Sequence, residues 1–137
     1  MRNDALIDSG PLLALFDRDD EYHETARAFL RNFRAKLIST TAVLTEVCYL
    51  LDFSIQAQID FLTWVKNGAV QIENLTKMDL NRIIELTELY ADLPMDFADS
   101  TLVAIGERLD ISKVASVDRD FYIYRLHRKK AFTNIFF

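Results

Sequence analysis

The segment Ala5-Leu6-Ile7-Asp8-Ser9-Gly10-Pro11 decides the fold of this chain. Its three apolar residues are too few for a helix, and a turn follows them at once. Pro11 suits the first turn of a helix because its ring fixes φ. We therefore predict a short strand, a sharp turn and a helix, with the polar side chain of Asp8 standing where the strand ends.

The same step from strand to helix recurs along the chain. Short apolar or β-branched segments predict further strands over residues 36–39, 69–73, 114–117 and 131–137. Segments with helical spacing or capping residues predict helices over residues 12–16, 21–33, 42–53, 55–66, 76–90, 96–109 and 119–126, with a break at Pro94. This alternation predicts an α/β fold, with a mostly parallel sheet of about five strands covered by helices on both faces.

Composition favours one domain over residues 1–137. Half of the 137 residues are apolar, and only three are Gly and two are Pro. An average protein has about 12% of these two residues, so long irregular loops and turn-rich repeats are disfavoured. Sixteen basic against twenty-one acidic residues give a net charge of −5. Nucleic-acid binding would therefore need a local basic patch or a bound metal.

The cysteine content and the lengths of the apolar runs also predict the cellular compartment. A single cysteine, Cys48, excludes an intramolecular disulfide and suits a reducing environment. No apolar run approaches the roughly 18 residues that span a bilayer, and Met1-Arg2-Asn3-Asp4 lacks the features of a signal peptide. We expect a cytoplasmic protein without membrane attachment.

Two acidic residues directly follow predicted strands. Asp8 follows the first strand and Asp118 follows the strand over residues 114–117. In a parallel sheet both lie on the edge where such folds bind ligands. The alternative for each is an ordinary helix cap or turn residue.

Two further acids fall within apolar helical segments. Glu46 interrupts a nearly continuous apolar run, where a lone carboxylate is costly unless it is paired or metal-bound; the alternative is an exposed position or a nearby arginine. Asp96 and Asp99 open another helix, where capping explains Asp96 well. Capping explains Asp99 less fully because its helix is largely apolar.

Asp8, Glu46, Asp99 and Asp118 could converge at one end of the sheet. Four carboxylates in one pocket repel one another, so either their pKa values rise or divalent cations neutralise them. Oxygen ligands without His or Cys suit Mg²⁺ or Mn²⁺. Because Mg²⁺ commonly joins protein carboxylates to substrate phosphates, this set indicates phosphoryl chemistry.

The chain resembles the PIN-domain nucleases, in particular the small VapC-like ribonuclease toxins of bacterial type II toxin–antitoxin pairs. The resemblance covers nearly the whole chain. It is carried by four motifs, which are Ile7-Asp8-Ser9-Gly10-Pro11-Leu12-Leu13-Ala14-Leu15-Phe16-Asp17, Thr40-Thr41-Ala42-Val43-Leu44-Thr45-Glu46-Val47, Asp96-Phe97-Ala98-Asp99-Ser100-Thr101-Leu102-Val103-Ala104 and Ala115-Ser116-Val117-Asp118-Arg119-Asp120-Phe121. One departure is Ser100, where relatives often have Ala.

The resemblance implies a three-layer α/β/α sandwich and metal-dependent hydrolysis of RNA. Its acidic positions map to Asp8 and Asp99, which would hold the principal Mg²⁺ or Mn²⁺, and to Glu46 and Asp118, which would complete the pocket. Auxiliary roles fall to three residues, Ser9, Asp96 and Ser116. It further implies an RNA substrate, a cognate antitoxin protein and a homodimer.

Other polar and aromatic residues favour plainer interpretations. His23 and His127 lie in polar stretches typical of the surface. The basic cluster Arg125, Arg128, Lys129 and Lys130 could contact phosphates, but an exposed turn is favoured. Phe61 and Trp64 are expected to fill the core or a dimer contact rather than to stack on RNA bases.

Two rival functions belong to other classes. A haloacid-dehalogenase-type phosphatase needs a second Asp two positions after the first, where this chain has Gly10, and no Asp and Lys pair of a phospho-receiver domain is convincing. A catalytically silent PIN-like scaffold that binds a protein or RNA partner keeps the same fold. The retention of all four acids favours the enzyme.

Overall fold

The computed structural model describes residues 3–93 and 95–137. The predicted break at Pro94 and the first two residues therefore lie outside the described residues. The regular elements, in chain order, are β1 (Ala5–Ile7), α1 (Ser9–Phe16), α2 (His23–Asn32), β2 (Leu37–Thr40), α3 (Thr41–Leu50), α4 (Ile55–Lys66), β3 (Gln71–Glu73), α5 (Lys77–Leu89), α6 (Phe97–Leu109), β4 (Lys113–Ala115), a 3₁₀ turn (Arg119–Tyr122), β5 (Arg125–Leu126), β6 (Lys130–Ala131) and β7 (Thr133–Asn134).

Five strands form one parallel sheet in the order β3-β2-β1-β4-β7. Within the described ranges, six helices flank it, which confirms the predicted α/β/α architecture. The central strand β1 is wholly buried, as expected for a strand covered on both faces. Its register places Ile7 beside Ala115 of β4, so the residues that follow these two strands meet at the same edge of the sheet.

Side-chain caps place the helices close to their predicted positions. Ser54 accepts a hydrogen bond from the Ala57 backbone N–H, and Thr76 forms a reciprocal capping box with Asp79. The first helix starts earlier than predicted, at Ser9 rather than near Leu12, because the Asp8 side chain accepts from the Ser9 backbone N–H.

The prediction for the C-terminal segment is wrong in two respects. The expected helix over residues 119–126 is a single 3₁₀ turn followed by β5, which pairs antiparallel with β6. His127 and Arg128 both have left-handed φ angles, 50° and 64°, which suits a tight hairpin turn. The expected strand over residues 131–137 is divided, because Ala131 pairs with Arg125 whereas Thr133 pairs with Lys113 of β4.

The core lies on both faces of the sheet. Phe61 of α4 is fully buried, and its ring meets that of Phe16 at a centroid distance of 5.5 Å. Trp64 packs on the same Phe16 ring at 5.4 Å. The prediction that these two residues fill the core or a dimer contact is confirmed for the core, where Phe61 is buried and the half-buried Trp64 packs against it. Among the described residues, no helix is both long and apolar enough to cross a membrane.

Candidate metal centre

The ends of two neighbouring strands bring the first two acids together. Asp8 directly follows β1, and Asp118 follows β4 by three residues. The backbone N–H of Asp8 donates to the carbonyl of Ala115 at 3.0 Å, which holds the two chain segments side by side. Asp8 is buried, with 4% of its surface exposed, whereas Asp118 is half-buried. Asp118 is thus the more accessible of the two carboxylates.

The third acid comes from the first turn of α6. Asp96 caps this helix by accepting from the Asp99 backbone N–H at 2.7 Å, and it is itself exposed. Asp99 is 5% exposed. One carboxylate oxygen from each of Asp8, Asp99 and Asp118 lies within 4.8 Å of the other two. Three of the four predicted acids therefore converge.

Glu46 adjoins this group without belonging to the three-oxygen cluster. It is half-buried on α3 and accepts a hydrogen bond from the Ser9 hydroxyl, while the Ser9 backbone N–H donates to Asp8 at 2.8 Å. Although the sequence of α3 is largely apolar, the helix has exposed positions such as Thr45 and Tyr49. Ser9 thus connects the fourth acid to the cluster.

Ser116 connects two of the clustered acids. Its hydroxyl donates to Asp8 Oδ2 at 3.1 Å and accepts from the Asp118 backbone N–H at 2.9 Å. The carboxamide of Asn134 on β7 holds Ser116 in turn, donating to its carbonyl at 2.8 Å and accepting from its N–H at 3.3 Å. Sequence reasoning identified Ser116 but missed Asn134, whose role depends on the sheet order.

Tyr124 is the second residue that sequence reasoning missed. Its hydroxyl donates to Asp99 Oδ2 at 3.1 Å, and the side chain is fully buried. The Tyr90 and Phe121 rings pack edge-on against its ring at centroid distances of 5.1 and 5.2 Å. The only sequence signal was an aromatic residue shortly after Asp118, and the mistaken helix over residues 119–126 concealed it.

Burial and repulsion between acids raise the pKa values of two of the clustered carboxyls, Asp8 and Asp99. Loss of solvation raises the pKa of Asp8 to about 7, with additional repulsion from Glu46 and Asp118, although hydrogen bonds from Ser9 and Ser116 oppose the rise. Loss of solvation also raises the pKa of Asp99 to about 8, with Asp8 the largest charged contributor. Burial and the adjacent Asp99 raise the pKa of Tyr124, so its hydroxyl remains a donor.

The donor set fits a hard divalent cation. The cluster offers carboxylate oxygens alone, without His or Cys, which is the chemistry that Mg²⁺ and Mn²⁺ prefer. Because burial and neighbouring acids raise the pKa values of Asp8 and Asp99, their ionised forms call for compensating positive charge. A cation would supply that compensation, so the residues present fit the group.

Capping and metal binding are compatible at these positions. Asp8 Oδ1 caps α1, and Asp118 Oδ1 accepts from the Asp120 N–H. Each carboxylate nevertheless contributes an oxygen to the cluster. The phosphatase alternative is disfavoured by Gly10, because a Cβ there would collide with the Val117 side chain. No second acidic side chain fits beside Asp8 at this position.

The basic turn is exposed, as predicted. Arg125, however, is engaged in the fold, because its guanidinium donates to the carbonyls of Tyr122, Ile123 and Tyr124. That leaves Arg128, Lys129 and Lys130 as the cations of the predicted cluster that point to solvent.

We expect Tyr124→Phe to weaken Mn²⁺ binding about tenfold or more, the size of effect typical when a hydrogen bond to a metal ligand is removed. The substitution deletes only the hydroxyl that orients Asp99 and keeps the packing against Tyr90 and Phe121. Calorimetric titration at fixed pH measures the change. Tyr122→Phe, at an exposed tyrosine, is the matched control, and equal affinity for all three proteins would contradict a positioning role for Tyr124.

The chain is similar to known proteins in sequence. The family model described as PIN domain matches residues 5–126. Ribonuclease VapC26 of Mycobacterium tuberculosis is 22% identical over 116 residues, which cover 83% of this chain and 86% of that protein.

Two solved structures share the fold. The crystal structure of Mycobacterium tuberculosis VapC20, described as a sarcin-ricin-loop-cleaving toxin, superposes with a TM-score of 0.78 at 19% identity and covers 85% of this chain and 91% of that one. A toxin–antitoxin complex from Klebsiella pneumoniae contains a chain with a TM-score of 0.65 at 17% identity, covering 85% and 89%.

Proposed function

Because this chain belongs to the PIN domain family, we propose that it is a metal-dependent endoribonuclease that hydrolyses RNA phosphodiester bonds. The observation that carries the proposal is the cluster of Asp8, Asp99 and Asp118 oxygens within 4.8 Å of one another at the carboxyl edge of the sheet. The sequence similarity of the chain to Ribonuclease VapC26 supports the choice of reaction.

Acidic side chains would hold the cation, and a hydroxyl orients one of them. Asp8, Asp99 and Asp118 would hold Mg²⁺ or Mn²⁺, and Glu46 would add negative charge beside them. When bound, the ion lowers the pKa of a coordinated water and offsets charge that develops on the phosphate. Ser116 orients Asp8 by donating to Oδ2. The side chains act by holding and orienting, and hydrolysis of this kind requires no covalent intermediate with the protein.

The experiment that tests this proposal is cleavage of a mixed-sequence single-stranded RNA by the purified chain. We expect cleavage with Mn²⁺ and none in excess EDTA. Cleavage that persists in EDTA would contradict the metal mechanism. The protein could instead bind Mn²⁺ and leave the RNA intact at every Mn²⁺ concentration. That result would favour the alternative of a silent PIN-like scaffold that binds a protein or RNA partner.

We also propose that the chain is the toxin of a toxin–antitoxin pair and acts in the cytoplasm. The similarity to VapC20 and to a chain in a toxin–antitoxin complex supports this role. Expression in bacteria is then expected to arrest growth, and Asp99→Asn is expected to remove the effect. Equal growth arrest by both proteins, at matched expression, would count against toxicity through RNA cleavage.

Exposed apolar side chains support protein partners. On α4, Ile55, Ile59 and Leu62 form a stripe at helical spacing, with exposures of 73%, 49% and 46%. Such a stripe suits an apolar helix face of an antitoxin. We further propose a homodimer, and sedimentation velocity at micromolar concentration should show twice the monomer mass. A monomer alone would contradict the dimer.

A further inference from the structure

A cavity of about 270 Å³ has Asp118 in its wall. Asp118 is also one of the three clustered acids, so the cavity adjoins the proposed metal centre at this residue. The remaining wall is contributed by Tyr22, Val117, Arg119, Tyr122, Asn134 and Phe137. Three aromatic side chains therefore line a space that shares Asp118 with the carboxylate cluster.

Two of the three rings are open to solvent. Tyr122 is 57% exposed and Phe137 is 66% exposed, and Tyr22 is half-buried with its ring 5.5 Å from that of Phe137. Core packing does not account for aromatic rings that are exposed around a cavity. Proteins use such rings to stack on the unpaired bases of single-stranded RNA. Arg119 is also exposed and offers a planar cation at the same wall.

The charge of the cavity lining favours a base over a phosphate as the ligand. Its lining holds one acid, Asp118, and one cation, Arg119, so the charges balance and no excess positive charge attracts an anion. A base is uncharged and planar, and a space of this size accommodates one. Asn134 stiffens the wall, because its carboxamide is bonded to both backbone groups of Ser116.

We propose that this cavity is a nucleobase subsite, which takes one base of single-stranded RNA next to the bond cleaved at Asp8, Asp99 and Asp118. The inference rests on the proposed ribonuclease function and adds the part of the substrate that the carboxylates do not contact. Stacking on Tyr122 and Phe137 positions the neighbouring phosphate, and it favours RNA segments whose bases are unpaired.

The test uses small probes whose binding does not depend on cleavage. Backbone amide NMR spectra of the full chain are recorded with AMP, CMP, GMP and UMP, and with ribose 5-phosphate, which lacks the base. At least one nucleotide is expected to shift the amides of residues 117–122 and 134–137, and ribose 5-phosphate is not. Equal shifts from ribose 5-phosphate would overturn the proposal in favour of a phosphate site.

Substitutions of Tyr122 test whether its ring contributes to nucleotide binding. Tyr122→Ala is expected to weaken nucleotide binding about fivefold or more, because base stacking on one aromatic ring typically contributes 1–3 kcal/mol. Tyr122→Phe keeps the ring and should restore binding. Tyr49→Ala removes an exposed ring on α3, outside the cavity, and should bind like the wild type. Unaltered binding by Tyr122→Ala would overturn the subsite.

The outcomes separate this inference from the proposed function. Protein that cleaves RNA with Mn²⁺ but shows no shift with any nucleotide overturns the subsite, and leaves the cavity to a side chain of a protein partner. Protein that binds nucleotides in the cavity but leaves RNA intact supports the subsite and contradicts the ribonuclease.

Discussion

Asp99→Asn is expected to lower Mn²⁺-dependent RNA cleavage about a hundredfold or more. The substitution removes a carboxylate charge from a cluster whose oxygens lie within 4.8 Å of one another, and loss of a metal ligand should exceed the effect of losing a group that only supports one. The hydrogen bond from the residue 99 backbone N–H to the Asp96 carboxylate does not involve the substituted side chain, so the start of α6 is retained. Initial rates at saturating RNA measure the effect.

Asp60→Asn is the matched control for this experiment. It removes the same charge from an exposed position on α4, where Asp60 accepts a hydrogen bond from the Gln56 side chain. We expect its rate to remain within about twofold of the wild type. Comparable losses in Asp60→Asn and Asp99→Asn would indicate a general charge effect and would contradict a metal-binding role for Asp99.

The metal-free protein is expected to lose stability as the pH rises from about 5 to 8. Asp8 and Asp99 have folded-state pKa values near 7 and 8, raised by burial from an ordinary value of 3.8. In this interval the folded chain therefore binds more protons than the unfolded chain, and the free energy of unfolding falls with pH. Each group contributes a slope of at most about 1.4 kcal/mol per pH unit. Urea unfolding in EDTA measures this slope.

Two comparisons attribute the pH effect to the cluster. Asp99→Asn should flatten the dependence and make the metal-free protein more stable than the wild type at pH 8, because a neutral side chain replaces a buried charge. Added Mn²⁺ should restore wild-type stability at pH 8, since binding to the folded state alone stabilises it. A wild-type slope that is flat or rising over this interval in EDTA would contradict the assigned burial of charge.

Local sequence signals were sufficient for most of the sheet and for the acids at its edge. The turn after Ile7 and the caps Ser54, Thr76 and Asp96 act within three residues, so they are legible in the sequence. The family model match over residues 5–126 agrees with the resemblance drawn from the four motifs. That these acids bind metal stays a prediction.

The two site residues that sequence reasoning missed depend on contacts between distant residues. Tyr124 reaches Asp99 across 25 positions, and Asn134 reaches Ser116 across 18. The helix predicted over residues 119–126 failed because Asp118 caps a short 3₁₀ turn and pairing with β6 draws the following residues into a hairpin. The contacts of Tyr124 with Asp99 and of Asn134 with Ser116 have no local signature in the sequence. The separation of Glu46 from the three clustered oxygens likewise depends on how α3 packs.

The most direct test of the central claim is a calorimetric Mn²⁺ titration of the wild type and of the Asp8→Asn/Asp99→Asn double variant, with RNA cleavage measured in the same samples. The carboxylate-metal account predicts that binding heat and cleavage both occur in the wild type and both vanish in the double variant. A wild-type protein that binds no Mn²⁺ and leaves RNA intact would contradict it, and Asp8 would then serve as a helix cap alone.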